Sequence, residues 1–254
     1  MQTISQEEIT ITPKYAGLLK FGEYQHMLNF YEKGEMYFNT FDFFRKLEIT
    51  GDGRADKNEY CTYHYSGEGI QSLRLKMFPH GKENEAIEVV GGKDLIELTL
   101  NTNENVQYTH LYSLSAINLE WSIKNNCIID SRNFAPKKDY VVPIFKSDVF
   151  IDRVIKEIEI LDCNAKLGFV DYVDKKNYTG EMGPFRKFDN YSYQNEYRIA
   201  LNLKRDNAFT IHIGSLADIA WEPQEIKNFY SSDCSIEYTI EQERIRQNIT
   251  NQKI

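Results

Sequence analysis

Short runs of apolar, β-branched and aromatic residues recur along almost the whole chain, and most are too short to form helices. Runs of this kind, bounded by Gly, Pro or Asn, are typical of β-strands. The sequence predicts a structure built mainly on sheet. The expected strands cover residues 9–12, 15–21, 36–39, 61–65, 73–78, 86–90, 95–100, 106–117, 140–144, 167–173, 209–213 and 235–240.

Two segments have the apolar spacing of amphipathic helices. In residues 23–33 apolar side chains recur at i, i+3, i+4 and i+7, and Gly34 follows as a stop signal. The second such segment is 147–159. Together with the strands, these helices predict an α+β fold with a mixed, mostly antiparallel sheet or sheets and peripheral helices. No repeat or linker interrupts the chain, so we expect one domain over 1–254, with a flexible tail at 241–254.

The net charge of −8 limits the classes of partner. Proteins that bind nucleic acid non-specifically are usually basic, and so are proteins that bind anionic membranes. We therefore expect no membrane partner, whereas a local basic groove remains compatible with nucleic acid. The N-terminus has no basic segment followed by an apolar one, and no apolar run reaches about 18 residues. The sequence predicts a cytoplasmic location.

Several well-known site motifs are absent from the sequence. There is no phosphate-binding loop, no dinucleotide-binding glycine motif and no HExxH. The loop around Asp52 resembles a calcium loop only superficially, because Arg54 and Lys57 occupy positions that calcium binding does not tolerate. The histidines are isolated and the four cysteines lack zinc-ligand spacing, so no metal is expected.

The segment Tyr193-Gln194-Asn195-Glu196-Tyr197-Arg198 is the strongest candidate site. A polar loop brings Gln194 and Glu196 to the start of an apolar strand. Alternate residues of a strand share one face, so the amide and the carboxylate can converge on one ligand. Arg198 on the same face can pair with Glu196 or bind a phosphate. A purely structural Glu–Arg pair explains the same spacing, and both interpretations remain open.

The order of these blocks resembles that of mono-ADP-ribosyltransferases. The corresponding blocks are Lys20 in an early strand, the helix after Glu23, the segment 37–41 and Gln194-Asn195-Glu196 at a late strand. The segments 37–45 and 53–59 are also similar to blocks of small prokaryotic proteins found among toxin and phage-defence genes. The resemblance extends to toxins of the CmdT type, from toxin–antitoxin–chaperone systems.

This resemblance implies a function and a set of site residues. NAD would be the substrate, and Glu196 would hold its ribose and stabilise the oxocarbenium-like charge that develops when nicotinamide leaves. Gln194 would orient the acceptor, which would be nucleic acid or protein, with Arg198 as a third catalytic residue. An antitoxin or chaperone is the implied partner. The implied NAD-binding residues are Lys20, Tyr37, Asn39, Thr40, Phe41, Arg45 and Ser113, and the implied substrate-binding residues are Arg54, Asp56, Glu59 and Tyr193.

Two other functions fit the same sequence. One is a metal-independent ribonuclease that uses Glu196, Arg198, Arg45 and Lys20 without NAD. The other is a non-catalytic binding module of a defence system, whose many Tyr and Phe side chains would form a partner surface.

Overall fold

A computed structural model describes residues 4–6, 15–44, 61–77, 86–100, 108–125, 127–133 and 139–229 of the chain. In this part the protein is a mixed α+β structure with mostly antiparallel sheets and few helices, as the sequence predicts.

The largest sheet has nine strands and organises the fold. Its strands are β1 (Ile4–Gln6), β2 (Tyr15–Gly22), β3 (Glu35–Thr40), β8 (Thr109–Asn118), β9 (Tyr140–Ile144), β10 (Asn164–Phe169), β14 (Glu196–Asn202), β15 (Phe209–His212) and β16 (Gln224–Glu225). Seven of them lie side by side in the order β1-β10-β14-β8-β2-β9-β16, and β3 joins β8 and β15. Among the described residues of this sheet, only the β1–β10 pair is parallel.

The described residues also form three smaller sheets of short strands. Their strands are β4 (Tyr63–Tyr65), β5 (Arg74–Met77), β6 (Ile87–Val90), β7 (Leu98–Leu100), β11 (Asp171–Val173), β12 (Gly180–Glu181) and β13 (Arg186–Phe188). One sheet has the order β12-β4-β7, a second pairs β5 with β6, and in the third β11 pairs with β13 in parallel.

The helices are short except for two. The α-helices are α1 (Tyr24–Lys33), α2 (Gly67–Gln71), α3 (Leu119–Asn125) and α4 (Ser147–Ile160). Helix α1 ends where the sequence predicts, because Gly34 adopts the left-handed conformation (φ 63°) and its N–H donates to the carbonyls of Asn29 and Phe30. Residues 41–44 are also helical. The described part of the chain further contains three 3₁₀ segments, at Ser131–Asn133, Asp189–Gln194 and Ile226–Phe229.

The two faces of the large sheet have different coverings. On the face that we call the helix face, side chains of α1 and α4 such as Phe30, Phe150 and Val154 join the main apolar core. We call the other the loop face. The helix face carries Leu18, Tyr112, Leu114, Tyr197 and Ile199, and strand alternation places Leu19, Ser113, Ser115, Glu196, Arg198 and Ala200 on the loop face.

Two of the predicted elements differ from the structure. The strand expected at 167–173 is two strands, since β10 ends at Phe169 and β11 begins at Asp171. Gly214 and Ser215 predict a turn of helix at 216–220, whereas the structure has a non-helical turn there that ends in a β-bridge between Ala220 and Ile144. The expected strands at 9–12 and 235–240 lie outside the described residues. Among the described residues, no helix is long and apolar enough to cross a membrane.

Candidate functional site: a buried ion network beside a groove

A sharp turn places Glu196 at the start of β14. The 3₁₀ segment Asp189–Gln194 ends at Asn195, which adopts the left-handed conformation with φ 42°. Asn tolerates this conformation better than most residues, which explains its place in the turn. The Glu196 backbone N–H then donates to the Tyr172 hydroxyl at 3.0 Å. The carboxylate therefore belongs to the first residue of the strand, whose backbone is held by the sheet and by this hydrogen bond.

The Glu196 carboxylate is shared between two buried cations. One oxygen, Oε1, lies 3.1 Å from the Lys187 ammonium, and the other, Oε2, accepts a 2.6 Å hydrogen bond from Arg198 Nε. The side chains of Lys187 and Arg198 are only 4% and 2% exposed, and that of Glu196 is 13% exposed. We call Lys187, Glu196 and Arg198 the ion network.

Gln194 joins this network through its side-chain oxygen. Gln194 Oε1 accepts a hydrogen bond from Lys187 Nζ at 2.9 Å. The amide and the carboxylate therefore converge, as the spacing of Gln194 and Glu196 predicts, but they converge on a lysine of the same chain.

The electrostatics of the network keep Glu196 ionised. Burial would raise the pKa of this carboxyl group, but the charges and hydrogen bonds of Arg198 and Lys187 outweigh burial and lower the pKa from 4.5 to about 2. At neutral pH Glu196 is therefore a hydrogen-bond acceptor and cannot donate a proton. Much of its negative charge is already balanced by the two cations.

The ion network also holds a segment of chain against the loop face. Arg198 Nη1 donates to the backbone carbonyl of Pro184 at 2.7 Å. Lys187, three residues later, contacts Glu196. Residues 183–187 therefore cross the start of β14, and we call them the crossing segment.

A groove of about 1240 Å³ lies beside the crossing segment. Ala200 and Lys166, a cross-strand pair of β14 and β10, line its sheet side. Phe185 of the crossing segment also lines it, and the Lys166 ammonium lies 4.8 Å from the centre of the Phe185 ring. Tyr63 and Tyr65 of β4 contribute two further rings, whose centres are 4.7 Å apart.

A second cavity of about 560 Å³ shares two lining residues with the groove. The shared residues are Asn164 and Asn202, which are paired across β10 and β14. Lys204 and Arg205 line the second cavity. By contrast, the cavity next to Gln194 has a volume of only about 10 Å³, which is room for about one water molecule.

Lys20 lies on the opposite side of the sheet from Glu196, so the structure does not bring these two predicted site residues together. The Lys20 ammonium lies 3.7 Å from the centre of the Tyr112 ring on the helix face, and it donates to the Ser113 carbonyl at 2.8 Å. The side chain of Glu196 is on the loop face. Successive residues of a strand point to opposite faces, so the sheet itself separates the two groups.

The residues of the 37–41 block have different roles from one another. Tyr37 is 57% exposed. Thr40 is buried and its hydroxyl accepts the Phe43 N–H at 3.1 Å, which is the geometry of a helix N-cap. Asn39 is paired with Leu111 in the sheet. Phe41 is buried against Leu111 and Ala200, and Ala200 also lines the groove.

Ser113 and Tyr193 lie near the ion network. Ser113 is paired with Arg198 across β8 and β14. The centre of the Tyr193 ring lies 4.5 Å from the central carbon of the Arg132 guanidinium. The Tyr193 backbone carbonyl accepts a hydrogen bond from the Asn133 side chain. The other expected site residues, Arg45, Arg54, Asp56 and Glu59, lie outside the described residues.

No pattern in the sequence identifies Lys187 as a site residue. It lies nine residues before Glu196, and no strand or helix period relates the two positions. The only sequence signal is that a buried carboxylate and a buried arginine need further partners, which does not identify the residue. In the described part of the chain, no group of three or more His, Cys, Asp or Glu side chains is arranged to hold a metal ion.

Comparison with protein-family models finds no match to this chain, and no match was found among the curated proteins or the solved structures.

Proposed function

We propose that this protein binds NAD or a related nucleotide in the groove, and that it transfers the ADP-ribosyl group of NAD to an acceptor. The observation that carries the binding part is the combination of aromatic rings and a lysine in one groove of sufficient size. The transfer part, and an ADP-ribosyltransferase-like fold, rest on the resemblance of the sequence blocks.

The chemistry of the groove suits a nucleotide. Nucleotide bases stack on aromatic side chains, and phosphates pair with lysine or arginine. Tyr63, Tyr65 and Phe185 supply rings, and Lys166 supplies a cation next to Phe185. Ligand pockets usually measure about 300–1,000 Å³, so the groove has room for a dinucleotide.

Glu196 supports a second candidate function, a nucleotide-binding module without catalysis. The carboxylate contacts two cations of its own chain, and it is not among the residues that line the groove. A carboxylate that must stabilise a new positive charge acts best when its own charge is not already balanced. The ribonuclease hypothesis assigns Lys20 and Glu196 to one site, and no observation in the groove favours it over nucleotide binding.

Binding and transfer can be tested in one set of samples. Calorimetric titration of the purified protein with NAD, ADP-ribose and AMP measures binding. Incubation with labelled NAD and either RNA, DNA or a cell lysate measures transfer. We expect Lys166→Gln and Phe185→Ala each to weaken NAD binding at least tenfold, because each removes one side of the cation–ring pair in the groove.

Lys146→Gln is the matched control for these variants. Lys146 also lies over a phenylalanine, 6.0 Å from the centre of the Phe145 ring, but neither residue lines the groove. This variant should bind NAD like the wild type. Binding with label transfer supports the transferase, and binding without transfer supports the module. Absence of binding, or equal loss in the Lys146 variant, contradicts both.

A further inference from the structure

We infer that Glu196 is a positioning residue, which fastens the crossing segment to β14 and so fixes one side of the groove. This inference goes beyond the proposed function, since it concerns the shape of the groove whatever ligand the groove binds.

Two side-chain tethers join the crossing segment to β14. One is the contact between Lys187 and Glu196, and the other is the hydrogen bond from Arg198 to the Pro184 carbonyl. Phe185 and Arg186, which line the groove, lie between the tethered residues. Because the Glu196 carboxylate contacts both Lys187 and Arg198, it connects the two tethers.

The backbone contacts of the crossing segment are limited by comparison. Strand β13 pairs with β11 over three residues only, in a sheet of two strands. A two-stranded sheet of this size is marginally stable by itself. Outside this pairing, the Phe185 carbonyl accepts a hydrogen bond from the Asp171 N–H at 2.9 Å, and the Gly183 N–H donates to the Cys61 carbonyl at 3.0 Å. Side-chain tethers therefore make a large contribution to the position of this segment.

The two sides of the ion network differ in how far they can move. Arg198 belongs to a seven-residue strand that is paired with β10 on one side and β8 on the other. Loss of the Glu196 charge removes the anion that Lys187 and Arg198 share, and this weakens the attraction between the crossing segment and β14. Since β14 is held on both sides, the crossing segment is the part that moves.

Two neighbouring amides report on this movement separately. The Asp171 N–H donates to Phe185 in the crossing segment, whereas the Val170 N–H donates to the backbone carbonyl of Glu196 in β14 at 2.9 Å. Hydrogen exchange of these two amides, measured by NMR without any nucleotide, distinguishes movement of the segment from loosening of the sheet.

In Glu196→Gln we expect exchange of the Asp171 amide to accelerate at least tenfold, while exchange of the Val170 amide changes less than twofold. Lys187→Met removes one tether and keeps the Glu196–Arg198 pair, so it should accelerate the Asp171 amide by a smaller factor. If Glu196→Gln does not fold, the exchange rates of the two amides in Lys187→Met test the inference. Equal acceleration of both amides, or no acceleration of either, overturns the inference. Neither result depends on nucleotide binding, so failure here is separate from failure of the proposed function.

Discussion

Substitution of Glu196 by glutamine should lower the stability of the protein in a way that depends strongly on pH. Glutamine has the shape of the protonated carboxyl group but carries no charge. It therefore removes the attraction to Lys187 and Arg198 and changes the packing little. The size of the effect follows from the pKa of this residue.

The pKa of Glu196 is lowered from 4.5 to about 2, because Arg198 and Lys187 outweigh the effect of burial. At roughly 1.4 kcal/mol for each pKa unit, this difference corresponds to about 3 kcal/mol of stability at neutral pH. Breaking a buried ion pair by removing one partner typically costs about 3–5 kcal/mol, which agrees in size.

The sign of the pH dependence follows from the direction of the pKa change. A carboxyl group with a lowered folded-state pKa contributes its full stabilisation above the unfolded-state value of 4.5. As the pH falls from 4.5 to about 2, the unfolded chain takes up a proton before the folded protein does, so the stabilisation is lost. The difference between wild type and the glutamine variant should therefore be largest near pH 7 and close to zero near pH 2.

Urea unfolding of both proteins, followed by tryptophan fluorescence at several pH values, measures this difference. Glu97→Gln is the matched control. Lys175 lies 3.1 Å from Glu97, the same distance as Lys187 from Glu196, but the Lys175 and Glu97 side chains are 42% and 48% exposed. An exposed pair of this kind is worth about 0–1 kcal/mol. A difference below about 1 kcal/mol for the Glu196 variant at pH 7, or one that persists unchanged near pH 2, would refute this reasoning.

Two further stability predictions concern backbone contacts. A Cβ atom at Gly34 would collide with the Gly214 carbonyl, whereas one at Gly183 would meet nothing within 4 Å, and both glycines have positive φ. Thermal unfolding should therefore show Gly34→Ala to be less stable than Gly183→Ala by about 1–3 kcal/mol, and equal losses would contradict the contact. Tyr172→Phe removes the acceptor for the Glu196 N–H, so it should cost about 1–3 kcal/mol in urea unfolding, and an unchanged midpoint would show that this bond contributes nothing.

The sequence predicts local structure well where a period or a stop signal is present. The end of α1 at Gly34 and the bounds of β9 at Tyr140–Ile144 agree with the prediction. Alternation along β14 also predicts that Glu196 and Arg198 share a face, and their 2.6 Å hydrogen bond confirms it. These features depend on neighbours within a few residues.

The rest of the site depends on contacts that local patterns do not contain. The face on which Lys20 lies is set by the pairing of β2 with β8 and β9, so its position in an early strand does not place it near Glu196. Pairing of β13 with β11 places the crossing segment against the large sheet, and Lys187 of this segment therefore contacts Glu196. Thr40 is a third case. It belongs to the segment 37–41, which resembles a block of the transferases, but its hydroxyl accepts a backbone N–H as a helix cap does.

The most direct test of the proposed function is an NMR titration of the isotope-labelled protein with NAD. If the groove is the binding site, saturable amide shift changes should concentrate at Lys166, Phe185 and Arg186. Trp221, which is 58% exposed and is not among the groove residues, should not shift. Shifts elsewhere on the protein with none at the groove, or no saturable shifts at millimolar NAD, would contradict the proposal.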